Sequence, residues 1–185
     1  DDIWLRAVHE TPGGDFLAAG MRYANDTGYD GWIMKFDGNG DVVWQRYYDP
    51  SGSFWSIEDA HDGGYVLAGC SSNYLWLVHI DEDGAVLWQK TYGQADDSDY
   101  RHICRTADGN YLVSSCSYRL GTGFYNIWVL KVDPAGDILW QACYGADSSL
   151  DRAAQVGEST GGELMILGTR SDRYWLLSLP QDGLL

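Results

Sequence analysis

The sequence predicts an all-β fold in which one small sheet is repeated four times. Three observations carry that prediction: a recurring tryptophan pair, glycine-marked turns at matched offsets, and alternating apolar segments without a helical period. Trp32, Trp76, Trp128 and Trp175 each lie in a short apolar run, GWIMKFD, YLWLVHID, NIWVLKVD and RYWLLSLP. Trp44, Trp88 and Trp140 follow the first three, in VVWQ, VLWQ and ILWQ. A recurrence every 44 to 52 residues is the period of solenoids, propellers and arrays.

Taken in order, each unit opens with a short strand running into a glycine-rich turn: AVHETPGG, SIEDAHDGG, HICRTADGN and AAQVGESTGG. A second strand follows, DFLAAG, YVLAGC, YLVSSC or ELMILG. After a loop of variable length comes the strand with the first Trp, and then a tight turn, DGNG, DEDG, DPAG or PQDG. Asp and Gly at fixed offsets are hairpin chemistry: Gly takes positive φ and the Asp side chain caps the turn. The fourth strand carries the second Trp in DVVWQRYY, AVLWQKTY and DILWQACY. β-branched and aromatic residues in alternation make these strands. Four antiparallel strands per unit of this size make a propeller blade, and the paired Trp fill the space between stacked blades. The predicted fold is a single β-propeller domain over 1–185. Its four blades fall at about 1–49, 50–94, 95–146 and 147–185, and the last is incomplete because no VLWQ-like strand follows Gly183. Two closures stay open. One is a self-closed ring of four; the other is an arc whose exposed apolar faces and unpaired edges drive association.

A net charge of −15 sets the chain against nucleic acid and anionic membrane surfaces, whose binding rests on Lys and Arg. No apolar run approaches the ~18 residues that would cross a bilayer as a helix, so membrane insertion is not expected. The chain begins DDIW, without a visible signal peptide, and reads as a mature or trimmed segment. Cys70, Cys104, Cys116 and Cys143 form no CxxC and no zinc spacing, and read as thiols packed like small apolar residues.

The repeat also carries a resemblance. Asp62, Gly63, Gly64 and Tyr65 with Ala68 and Gly69, then Trp128, Lys131, Asp133 and Gly136, then Trp140, Tyr144 and Gly145, follow a DGGY-x-x-AG … W-x-x-K-x-D-x-x-G-x-x-x-W pattern. The pattern resembles the tryptophan-rich β-propeller repeats of secreted and cell-surface bacterial and archaeal proteins, and covers essentially the whole chain. The resemblance implies an extracellular or cell-surface scaffold or binding domain. It brings no catalytic residues with it.

In a four-strand meander the first and third turns share one end, and here both are short and stereotyped. The second turn and the connectors between units share the other end, and these vary. Variable loops on a rigid scaffold are where binding tends to live. That end carries Tyr23, Asp26, Tyr29, Asp30, Tyr74, Asp96, Asp97, Asp99, Tyr118, Tyr125, Asp147 and Asp151. Aromatic rings beside carboxylates suit a sugar or a basic peptide; the bland alternative is a solvated rim. Calcium is a weak candidate at Asp96, Asp97 and Asp99, and no other cofactor is implied. Arg6, Arg101, His102 and Arg152 are candidates for lining an axial channel. Three functions are weighed: a non-enzymatic module binding a glycan or protein, a building block self-associating through its blade faces or edges, and a hydrolase or lyase at the channel.

Overall fold

The computed structural model describes residues 2–24, 28–50, 52–94, 101–117, 125–145, 151–170 and 173–184. The protein is an all-β propeller chain of four blades. Blade 1 is β1 (Ile3–Glu10), β2 (Phe16–Ala24), β3 (Gly28–Phe36) and β4 (Val42–Pro50). Blade 2 is β5 (Gly52–Asp59), β6 (Tyr65–Ser71), β7 (Tyr74–Ile80) and β8 (Val86–Gln94). Blade 3 is β9 (His102–Arg105), β10 (Tyr111–Ser117), β11 (Asn126–Val132) and β12 (Ile138–Tyr144). Blade 4 has three strands, β13 (Asp151–Glu158), β14 (Leu164–Arg170) and β15 (Arg173–Leu179). Each blade is an antiparallel meander in sequence order. The strands group into two compact units, Asp1–Thr91 and Tyr92–Leu185.

The turns fold as their residues dictate. Gly40 N donates to Asp37 O, and Asp37 Oδ1 accepts from the N–H groups of Asn39 and Asp41. Those hydrogen bonds, that from Asp41 foremost, hold the Asp37 carboxyl below its ordinary range. DEDG repeats both side-chain bonds, from Asp83 N and Ala85 N to Asp81 Oδ1, and DPAG repeats the second, from Asp137 N to Asp133 Oδ1. The turn between β6 and β7 is tight: Ser72 and Asn73 take positive φ, 48° and 66°, as a two-residue hairpin of primed type requires.

The central strands of blades 2 and 3 are buried on both sides, which is why YLVSSCS and NIWVLKV read as unbroken apolar or small runs; the outer β12 alternates. In the first unit the rear face of blade 1, with Leu17, Ala19, Ile33 and Tyr48, packs on the front face of blade 2, with Ile57, Leu67, Trp76, Val78 and Ile80. In the second unit Leu112, Val129 and Tyr144 of blade 3 pack in the same way on Val156, Leu164, Ile166 and Leu179 of blade 4.

The first Trp of blades 1, 2 and 3 is core, whereas Trp175 of blade 4 is only partly buried. Trp32, Trp76 and Trp128 are at most 3% exposed. The indole N–H groups of Trp76 and Trp128 donate to Gln89 and Gln141, the glutamines that follow the second Trp in VLWQ and ILWQ. Outer-strand residues couple neighbouring sheets. Tyr48, Tyr92 and Tyr144 donate their hydroxyls to the turn carbonyls of Gly84, Gly136 and Gly183, at 2.7, 2.7 and 2.6 Å. Trp44 and Trp140 donate to the carbonyls of Glu82 and Gln181, two residues before those glycines.

Among the described residues, inner strands carry a bulge in three blades, between Leu5 and Ala7, Phe54 and Ser56, and Ala153 and Gln155. A glycine on the second strand faces each one. A Cβ on Gly20, Gly69 or Gly168 would stand 1.9, 2.1 or 2.5 Å from the carbonyl oxygen of Trp4, Ser53 or Arg152. Only a residue without a side chain permits that approach. Blade 3 has Ser115 at the corresponding place; the described pairing of β9 with β10 reaches Ser114, and residues 95–100 lie outside the described residues.

Candidate ligand-binding site

The second and third strands of blade 1 run past the end of the blade 2 hairpin, pairing as far as Tyr23 with Tyr29 and Ala24 with Gly28. Tyr23 N also donates to Asp2 O, which ties the start of β1 to this overhang. Because side chains alternate along a strand, Tyr23 and Tyr29 project from one face and the Arg22–Asp30 pair from the other. Trp4 joins the tyrosine face. The Trp4 and Tyr29 ring centroids are 5.8 Å apart and those of Tyr23 and Tyr29 are 5.3 Å apart, both at steep interplanar angles. All three rings meet solvent: Trp4 is 38%, Tyr23 39% and Tyr29 46% exposed. The result is a ledge of three mutually supported rings on paired backbone.

On the opposite face Arg22 donates to Asp30 at 2.8 Å and lies 3.9 Å over the Tyr47 ring. The hydrogen bond to Asp30 keeps the Arg22 guanidinium even more firmly protonated than usual. Asp30 is buried beneath this stack and is not presented to solvent.

The second unit repeats the device. Asp151 is fully buried, accepts from Arg170 Nε at 3.2 Å, and donates its own N–H to Tyr125 O. Arg170 stacks 3.9 Å over Trp175. Two of the acidic residues read as rim ligands thus serve as anchors for arginine–aromatic stacks. Tyr74 is exposed at the start of β7, and Tyr125 is half-buried. Asp26, Asp96, Asp97, Asp99, Tyr118 and Asp147 lie outside the described residues, and the calcium candidate lies there with them. Among the described residues no group of three or more His, Cys, Asp or Glu could hold a metal ion.

The channel candidates separate. Arg6 is the bulge residue of β1, and its guanidinium lies 4.2 Å over the Trp55 ring, the bulge residue of β5. Arg101 is buried at 4% exposure and precedes His102 as Arg6 precedes Ala7. His102 Nδ1 accepts from Val156 N at 3.5 Å, a contact between blades 3 and 4. Arg152 pairs with Thr169, beside the Ala153–Gly168 pair; its counterpart in blade 1 is Trp4, so it does not share a register position with Arg6. None of the four cysteines is bridged; Cys116 is buried, but Cys143 is exposed on the outer strand β12 rather than packed.

Sequence reasoning passed over Trp4. Its signal is an aromatic at the fourth position, outside any repeat of the Trp pair, which packing between blades does not explain.

No protein-family model matches this sequence, and no curated protein is similar to it. Solved structures do match. A crystal structure of a protein of unknown function from Bacteroides caccae is 14% identical with a TM-score of 0.63, over 98% of this chain and 62% of that one. A putative gluconolactonase is 15% identical with a TM-score of 0.55, over 96% and 60%. The PQQ domain of a pyranose dehydrogenase from Coprinopsis cinerea, in its holo form, is 14% identical with a TM-score of 0.57, over 97% and 52%. These likenesses show the fold. The chain spans about six tenths of the length of the first two proteins and about half of the third.

Proposed function

We propose that this chain is a non-enzymatic binding module of an extracytoplasmic protein, and that its ligand is a glycan held on the ledge of Trp4, Tyr23 and Tyr29. The observation that carries the reading is the exposure of three adjoining rings at the variable end of blade 1. Rings fixed by one another lose little side-chain entropy on binding, present an apolar face to the C–H face of a sugar, and keep hydroxyl and indole N–H groups for its polar edge. A net charge of −15 favours a neutral or cationic ligand over an acidic one. The extracytoplasmic setting, and membership of the tryptophan-rich repeat family, rest on the repeat pattern itself.

Tryptophan fluorescence titrated with neutral oligosaccharides tests this reading. A saturable change that weakens at least about tenfold in Trp4→Ala and in Tyr29→Ala, about 1.4 kcal/mol each, is expected. Equal responses from wild type and both variants would sink it. The building-block reading has its own support in the exposed apolar face of blade 1.

A further inference from the structure

The front face of blade 1 is an open apolar groove of about 600 Å³, lined chiefly by Leu5, Val8, Ala18, Met34, Phe36 and Gly40. Leu5 is 58% and Val8 71% exposed. Each lining position has counterparts whose surroundings are known. By strand register Val8 corresponds to Ile57 and Val156, Ala18 to Leu67 and Ile166, and Phe36 to Ile80 and Leu179. All six counterparts are buried under the rear face of the preceding blade. Gly40 matches Gly84, Gly136 and Gly183, whose carbonyls each accept a tyrosine hydroxyl. Gly38 matches Glu82 and Gln181, whose carbonyls each accept a tryptophan N–H. Among the described residues, no tyrosine hydroxyl reaches Gly40 and no tryptophan N–H reaches Gly38.

We propose that this groove is a docking surface for one further four-stranded blade of the same repeat type, whose outer strand carries Trp and Tyr four residues apart. The groove continues an interface series that the chain already builds within each unit, with the same apolar stripe and the same pair of turn carbonyls. The docked blade lays a rear face of small and branched residues over Val8, Ala18 and Met34. Its Tyr hydroxyl donates to Gly40 O and its Trp N–H to Gly38 O. Ala18 stands where blades 2 and 4 have Leu67 and Ile166, so the site is deeper than its counterparts and takes a bulkier side chain from the occupant. This goes beyond the glycan reading, since it uses a different face of blade 1.

The test places a second copy of residues 52–94 ahead of Asp1. Two residues then separate the added outer strand from β1, as one residue separates β4 from β5. The expected result is a monomer whose β1 amides gain at least about tenfold hydrogen-exchange protection, with Tm raised by about 4 °C or more. Val8→Asp should cancel both gains, while moving the Tm of the unextended chain by no more than about 1 °C, because Val8 is mostly solvated there. Replacing the tyrosine equivalent to Tyr92 by Phe in the added blade should remove part of the gain. An added blade that leaves β1 exchange unchanged, or a gain indifferent to Val8→Asp, overturns the proposal. So does a Val8-dependent dimer of the unextended chain at micromolar concentration, which would make a second copy the occupant. Glycan binding on the Trp4 ledge is read separately and stands or falls apart from these outcomes.

Discussion

Replacing Tyr144 by Phe isolates the coupling between outer strands and neighbouring turns. The ring is 5% exposed and packs in the core of the second unit, so Phe keeps its apolar contribution. What is lost is one hydrogen bond of 2.6 Å to Gly183 O, and a buried carbonyl is left without that donor. A net hydrogen bond is worth about 1 kcal/mol, and a stranded acceptor adds to that, so Tyr144→Phe should cost about 1.5–2.5 kcal/mol. For a chain of this length that lowers Tm by roughly 3–10 °C. Urea unfolding followed by tryptophan fluorescence, together with thermal unfolding by circular dichroism, measures it. Tyr174→Phe is the control, since Tyr174 is 90% exposed and should change stability by less than about 0.5 kcal/mol. The same site has a pH signature. Burial, with smaller contributions from Cys143 and Asp182, pushes the Tyr144 hydroxyl up to about 12 from its ordinary 10.0. A phenol whose pKa is raised by folding stabilises fully below its unfolded value, and the stabilisation is lost as pH rises from about 10 to about 12. The stability gap between wild type and Tyr144→Phe should therefore narrow across that range. A Phe variant as stable as wild type at neutral pH, or a gap constant from pH 9 to 12, would refute the reasoning.

Gly69→Ala should cost about 3 kcal/mol, because the added methyl meets Ser53 O at 2.1 Å and must break the bulge at Trp55; Gly157→Ala, with nothing within 4 Å, should stay within about 0.5 kcal/mol in the same urea assay. Trp128→Ala should cost about 3–5 kcal/mol by emptying a site 1% exposed, read from the urea midpoint. Burial raises the Asp108 pKa, but hydrogen bonds from Lys131, Thr106 and Asn110 outweigh it and hold the carboxyl well below its ordinary 3.8. Its stabilisation is complete above about pH 4 and drains as pH falls through the lower folded value, so Asp108→Asn should flatten that part of an acid-unfolding curve.

Much of this architecture was written in the chain. The Trp pair, the Asp–Gly turns and the alternation located every sheet and its strand order, because each is a local pattern with a local cause. Strand ends were less legible. Tyr23, Tyr29 and Asp30 are expected on a variable loop, yet all three lie in β2 and β3, since polar and aromatic residues pair as well as apolar ones once a hairpin has a template. A bulge adds one residue without disturbing composition, so alternation could not show that Arg6 and Arg152 occupy different register positions. Asp30 and Asp151 looked like solvent-facing acids because their partners, Arg22 and Arg170, are 8 and 19 residues away across hairpins. The tyrosines that donate to turn carbonyls belonged to the repeat pattern, but their acceptors are backbone atoms, which carry no signature in sequence.

The forward-reaching tyrosine has an evolutionary consequence. Its acceptor is a main-chain oxygen in a turn every unit possesses, so the coupling does not depend on which particular unit comes next. Excising one internal repeat, or duplicating one, leaves each remaining tyrosine facing an equivalent glycine carbonyl. Copy number can drift by whole repeats through unequal recombination, while side chains at the variable-loop end diverge without renegotiating the joints between neighbours.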